Sequence, residues 1–157
     1  MQSIKEILEN VGEQLVNEIK SRINDKDLND TGSASSSLKL NATDTKLEIK
    51  GNRYIGALDK GRKPGKFPPP NKMIDYVTRN GIEFVIDGKS IGIKSTAFLM
   101  GKGISEKGTA IFRDHSKGIQ LETIEEMGVK LIKKNVSGII LNDIKSKVMD
   151  LSKGASA

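Results

Sequence analysis

The sequence predicts an α+β fold: an N-terminal amphipathic helix, a small antiparallel sheet built from hairpins, short helices and a C-terminal helical segment. Three observations carry this reading. Apolar residues recur at three- and four-residue steps at both ends of the chain. Between the ends lie stretches in which apolar and polar residues alternate around turn-forming residues. These segments do not follow the strand–helix–strand order that a parallel sheet requires. A chain of 157 residues is about one domain's worth. The expected organisation is therefore one domain over 1–152, with a frayed tail over 153–157.

The elements follow in order. Ile4, Ile7, Leu8, Val11, Leu15, Ile19 and Ile23 share one helical face. Ser3 and Glu6 have the spacing of a capping box, which satisfies free amides at the helix start. This helix should run to about Asn24. The polar stretch from Asp25 to Ser37, centred on Thr31-Gly32, reads as a loop. Leu38, Leu40 and Ala42, then Leu47 and Ile49, predict a half-buried hairpin turning within Asn41 to Thr45. Tyr54 to Leu58 reads as a third extended or mixed stretch.

Gly61 to Pro70 holds all four prolines of the chain and cannot be regular structure. Proline favours the first helical turn, so a helix should follow, with Met73, Ile74 and Val77 inward and Asn80-Gly81 as its stop. Asp87-Gly88 supplies a primed turn between Phe84–Ile86 and Ser90–Ile93, predicting a second hairpin. Ser95 is the expected cap of a short helix carrying Ala97, Phe98, Met100 and Ile104 and ending near Gly108. Gly101 and Gly103 each cost that helix roughly 1 kcal/mol relative to Ala, unless close packing needs them. Helical spacing returns from Leu121 through Leu151, with Ser137-Gly138 as a candidate break into two helices.

Composition removes several function classes. The absence of cysteine excludes disulfides, thiolate nucleophiles and Cys-ligated zinc. The longest apolar runs, Ala97–Met100 and Ile139–Leu141, fall far short of the roughly 20 residues of a membrane span. The N-terminus reads as a polar-faced helix, not as a signal peptide. A net charge of +6 permits contact with phosphate or with acidic protein surfaces. Aromatic residues are 4% of the chain and tryptophan is absent, which disfavours stacking on single-stranded bases.

No catalytic constellation emerges. His115 beside Asp114 reads as a surface loop histidine, because acid–base work needs a positioned partner and a pocket. Asp25, Asp27 and Asp30 fail the calcium-loop pattern, whose sixth and twelfth positions would fall on Asp30 and Ser36. Gly88-Lys89-Ser90 lacks the first glycine of a phosphate-binding loop, because residue 83 is Glu83. Gly101-Lys102-Gly103 lacks the third glycine of a dinucleotide fingerprint, because residue 106 is Glu106. Glu125-Glu126 are adjacent on a helix and point apart, as a solvated face does. The expectation is a protein that is not an enzyme, with no metal and no cofactor. One charged feature remains. Lys60, Arg62, Lys63 and Lys66 cluster around stiff prolines, as a pre-ordered arm that would touch phosphate or an acidic neighbour.

The run from Tyr54 to Pro69 resembles a signature of the tail-completion and neck proteins of tailed bacteriophages, the head–tail joining family related to minor tail proteins. The matching positions are Tyr54, Asp59, Gly61, Pro64, Gly65, Pro68 and Pro69, followed by a helix and Gly81. Thr31-Gly32 with Ser37-Leu38 is similar to the family's turn into its first strand. Phe98-Leu99, Gly101-Lys102, Ile104 and Lys107-Gly108-Thr109 are similar to its short basic helix and exit. The likeness covers roughly residues 31 to 109. Ala34 stands where a larger aliphatic is usual, and Asp59 where Glu is usual.

The resemblance implies a structural virion protein of the neck or tail, made in the bacterial host cytoplasm. It implies a homo-oligomeric ring of six or twelve copies that meets portal, adaptor or other tail proteins and encloses a conduit for double-stranded DNA, with no membrane. Lys60, Arg62, Lys63 and Lys66 would then be assembly or lumen contacts. Joint replacement of Arg62, Lys63 and Lys66 by Ala should impair assembly and spare the fold. The alternative reading is a small basic nucleic-acid-binding protein using the same arm.

Overall fold

A computed structural model describes residues 2–154, with side chains through residue 145 apart from residue 143. The elements are α1 (Ile4–Asp25), α2 (Ser33–Ser36), β1 (Lys39–Ala42), β2 (Leu47–Lys50), α3 (Tyr54–Lys60), α4 (Pro70–Arg79), β3 (Val85–Ile86), β4 (Lys89–Ser90), α5 (Ile93–Lys107), α6 (Ala110–Arg113) and α7 (Leu121–Gly154). A 3-10 turn over His115–Lys117 lies between the last two helices. The architecture is α+β, as expected, and helix dominates it. The strands form two separate antiparallel hairpins, not one sheet.

The chain packs as two compact units. The first gathers α1 through Ser21, the segment Ser37–Gly51 and the chain from Leu121. Its core is the predicted face of α1: Ile7, Leu8, Val11, Leu15 and Ile19 are buried, together with Ile124 of α7. Ile4, assigned to that face by its spacing, is 47% exposed because it lies in the first turn. The capping box forms as the spacing requires. Ser3 N–H donates to Glu6 Oε2 at 2.8 Å, and Glu6 N–H donates to Ser3 Oγ at 3.2 Å. β1 and β2 pair Leu40 with Ile49 and Ala42 with Leu47. A Cβ on Gly12 would stand 2.8 Å from Leu47 Cδ1, and one on Gly128 would stand 2.8 Å from Leu15 Cδ1. Both glycines therefore mark close approach, of the hairpin and of α7, to α1.

α7 is continuous through the expected break at Ser137-Gly138. Neither residue bars helical dihedrals, and one internal glycine costs only about 1 kcal/mol. Beyond Gly154 the tail expected to fray lies outside the described residues, as do the side chains of Val148 and Leu151.

The second unit comprises Arg22–Ser36 and Asn52–Gln120. α4 and α5 pack around Met73, Val77 and Ala97, with Ile74, Ile82, Met100 and Ile104 partly buried against them. Pro70 opens α4, and the stop at Asn80-Gly81 forms with Gly81 at φ 59°. Asp87 (φ 50°) and Gly88 (φ 74°) make the primed turn of the second hairpin. Its strands are only two residues long, because the chain enters α5 at Ile93.

Four local expectations are corrected in this unit. Tyr54–Leu58 is the body of a helix, α3, whose Ile55 and Leu58 are buried one turn apart. The loop expected over Asp25–Ser37 contains the turn α2, which buries Ala34. α5 begins two residues before Ser95, after Gly92 at φ 79°, and Thr96 N–H donates to Gly92 O at 3.0 Å. The stretch around His115, expected as a surface loop, folds as α6 and the 3-10 turn, capped by Thr109 and Asp114.

Candidate functional site: a braced basic strap and its cavity

Gly61 to Pro69 is irregular, yet fixed at several points. Arg62 N–H donates to Thr109 Oγ1 at 2.9 Å, and Thr109 N–H donates back to Arg62 O at 2.9 Å. Gly65 N–H donates to Ser105 O at 2.8 Å. The Phe67 ring lies against Gly101 of α5, where a Cβ would come within 2.7 Å of Phe67 Cε1. Close packing thus explains one of the two glycines that weaken α5. Phe67 also stacks at a tilt on Phe98, with ring centroids 5.7 Å apart. Pro68, within the strap, is buried. Gly61 and Gly108 terminate α3 and α5 with φ of 72° and 76°.

The four cations divide into two kinds. Lys60, Lys63 and Lys66 are exposed. Arg62 is half-buried, and its Nη2 donates to Lys66 O at 2.6 Å, so it braces the strap from within. The sequence treats all four as one contact cluster; the fold assigns Arg62 to internal support. Pro64 and Gly65 are exposed at the crest, with Gly65 at φ 140°. Tyr54 and Asp59 lie on α3, and Thr31 and Gly32 lead into α2, where Gly32 O accepts from Ser36 N–H at 3.0 Å.

Beside the strap, within the same unit, is a cavity of about 730 Å³, a volume typical of ligand-sized pockets. Its apolar lining includes buried Leu58 and Met73 and partly buried Met100 and Ile104, while Lys107 and Arg113 are exposed at its rim with half-buried Arg62. Lys107 and Arg113 make no ion pair among the described residues. Asp27, Asn29, Asp30, Tyr54, Tyr76, Asn80 and Thr109 are also among its polar lining. Sequence reading misses this cavity, because its polar residues come from segments about fifty positions apart. The one available signal was that Asp30 and Asn80 adjoin the Thr31-Gly32 and Gly81 motif positions.

Asp30 accepts from Arg79 Nη2 at 2.6 Å and from Asn80 Nδ2 at 2.9 Å. The Arg79 hydrogen bond, opposed by burial and aided by Asn80, holds the Asp30 carboxyl below the usual carboxylate range. Burial first, then the Asp30 charge, pushes the Tyr54 phenol up. Because the folded value of Asp30 is depressed, its stabilisation is present above about pH 4 and is lost as pH falls through the lower folded value. Arg79 is 46% exposed, so solvent screens the pair and its contribution is small. Asp30→Asn should therefore flatten the acid limb of the stability–pH curve below about pH 4 and move stability little at pH 7. Urea unfolding at a series of pH values reads this; an unchanged acid limb would show that the pair contributes nothing.

The remaining candidates stay apart. His115 is exposed and meets the Phe112 ring edge-on at 6.4 Å. Asp114 is occupied in capping Ser116, which lowers its carboxyl from the usual range. Among the described residues, no group of three His, Asp or Glu side chains converges as a metal would require. No helix among them is long and apolar enough to cross a membrane. Comparison of the chain with protein-family models, with curated proteins and with solved structures gives no match.

Proposed function

We propose that this chain is a ring subunit of a phage neck or tail-completion assembly, forming part of the DNA conduit between portal and tail. One observation carries the reading. Two of the sequence blocks that resemble the tail-completion family, Tyr54–Pro69 and Phe98–Thr109, lie in one compact unit and are hydrogen-bonded together. The strap of the first block is tied through Arg62 and Gly65 to Thr109 and Ser105 of the last. A strap fixed in advance loses little entropy when it docks, as repeated ring contacts favour. Its exposed lysines suit passing phosphate or an acidic neighbour, and tight base reading would hinder sliding DNA.

Exposure of Lys60, Lys63 and Lys66 also favours the second reading, a small basic nucleic-acid-binding protein. One pair of measurements separates the two. Native mass spectrometry with negative-stain imaging at high concentration should give closed rings of one copy number for a ring subunit. Lys60→Ala/Lys63→Ala/Lys66→Ala should then weaken assembly while leaving the melting temperature unchanged. A nucleic-acid binder instead stays monomeric and binds duplex DNA with a log–log salt slope near −3 if all three lysines meet phosphates. In that case the triple variant should lose nearly all of the slope. A triple variant that assembles like the wild type would refute the role assigned to the strap.

A further inference from the structure

Among the described residues, the second unit presents an exposed apolar surface. Phe84, Val85, Ile86, Ile93, Phe98 and Leu99 are 37% to 60% exposed, and they cluster on the second hairpin and the first half of α5. Ile86, Phe98 and Leu99 line one shallow recess there. In a protein whose charged residues are 29% of the total, exposed apolar residues gathered on one hairpin and the adjoining helix mark an interaction site. The same unit carries the cation-rimmed apolar cavity described above.

The two surfaces lie on different sides of α5. Lys94, Ser95, Phe98 and Leu99 face the recess, whereas Met100, Gly103, Ile104 and Lys107 face the cavity. At 3.6 residues per turn these sets centre on roughly opposite faces of the helix. Two unlike surfaces on opposite sides of one element cannot satisfy each other within one molecule. They can do so between copies, as a heterologous head-to-tail contact that repeats and closes into a ring when the rotation allows.

Charge selects the partner. The leading strand of the hairpin is bracketed by Glu83 and Asp87, while the cavity lining carries Arg62, Lys107 and Arg113 against Asp27 and Asp30, of which Asp30 is already paired with Arg79. Lys89 and Lys94, on the returning strand and in the first turn of α5, are the cations this pairing must leave in solvent. The hairpin tip is stiff, because Asp87 and Gly88 form the primed turn and Phe84 N–H donates to Thr96 Oγ1 at 3.2 Å. A projecting, pre-ordered apolar tip with acidic flanks is the complement of an apolar cavity with a cationic rim.

We infer that the β3–β4 hairpin of one copy, through Val85 and its neighbours Glu83 and Asp87, docks into the Arg62–Lys107–Arg113 cavity of the next copy. This inference rests on the ring reading and names the contact that would build the ring.

The test uses two full-length variants, each damaged on one side. Val85→Asp spoils the hairpin, and Lys107→Glu spoils the cavity rim; both positions are exposed, so each variant should keep the wild-type circular dichroism and melting temperature. Sedimentation velocity up to about 1 mM detects contacts even of roughly millimolar affinity. Each variant alone should lose self-association at least about tenfold relative to the wild type. Mixed together, they should form 1:1 heterodimers and nothing larger, because only one competent hairpin and one competent cavity remain. Glu83→Lys/Asp87→Lys combined with Lys107→Glu/Arg113→Glu in one chain should recover assembly.

Wild-type rings that persist in both variants would overturn this contact while leaving the ring reading standing, with the exposed Ile140, Leu141 and Ile144 of α7 the next surface to examine. A wild type that stops at a closed dimer would overturn both. A wild type monomeric at about 1 mM would overturn the docking contact, and imaging of particles assembled on a tail template would then judge the ring reading separately.

Discussion

Gly61→Ala should destabilise the second unit by about 3 kcal/mol. Gly61 has φ 72°, where an L-residue incurs roughly 1–2 kcal/mol of backbone strain. Space is also missing: a Cβ would stand 2.6 Å from Thr109 Oγ1 and would overlap the Phe112 backbone nitrogen. Backbone does not move aside as a flexible side chain does, so the substitution must open the bonds between Arg62 and Thr109. Denaturant unfolding should show the loss, and hydrogen exchange should show the amides of Thr109 and Gly65 losing protection first. Gly56→Ala is the control. Gly56 lies inside α3 with open space around it, and the same substitution there should stabilise the helix by up to about 1 kcal/mol. If Gly61→Ala were as benign as Gly56→Ala, the braced strap would not exist in solution.

Ile119→Ala should cost about 2–5 kcal/mol, the range for truncating a fully buried isoleucine. Ile119 is 0% exposed. Its position is fixed from both sides of its peptide. Its N–H donates to Leu58 O at 3.0 Å, and its carbonyl accepts from Arg22 Nη1 at 3.0 Å. Lys26 Nζ reaches Gly118 O at 2.6 Å and also Ser116 O. These bonds limit how far the segment can relax into the cavity left by the substitution, which places the cost toward the upper end of the range. Ile119→Val should cost only about 1 kcal/mol. Thermal and chemical unfolding of the two variants would read this contrast. Equal, small losses would mean that Ile119 is solvated in the folded protein.

These two positions differ in how the sequence presents them. Gly61 was legible as important, because it opens a proline-rich stretch and fits a recognisable motif. What its Cβ would strike was not legible, since Thr109 and Phe112 lie about fifty residues away. Ile119 gave no signal at all. It stands alone between Gly118 and Gln120, outside any period, and periodicity is the signal from which buried positions are read. The face of α1, the capping box of Ser3 and Glu6, the hairpin at Asp87-Gly88 and the proline-led start of α4 were all local matters. Each depends on residues within a few positions of one another.

The sequence by itself determined the α+β class, the bounds of α1 and α4, the end of α5, the start of α7, both hairpins and the absence of cysteine chemistry. It also determined that the cations would gather around a stiff loop. The tertiary structure alone decided that the strands form two separate hairpins and that Tyr54–Lys60 is helical. It alone turned Arg62 into an internal brace, joined Asp30 to Arg79 and Asn80, and left an apolar patch and an apolar cavity on different sides of α5. The reason is physical. Propensity, capping and turn chemistry act over one to four residues, whereas burial and long-range hydrogen bonds depend on which distant segments meet.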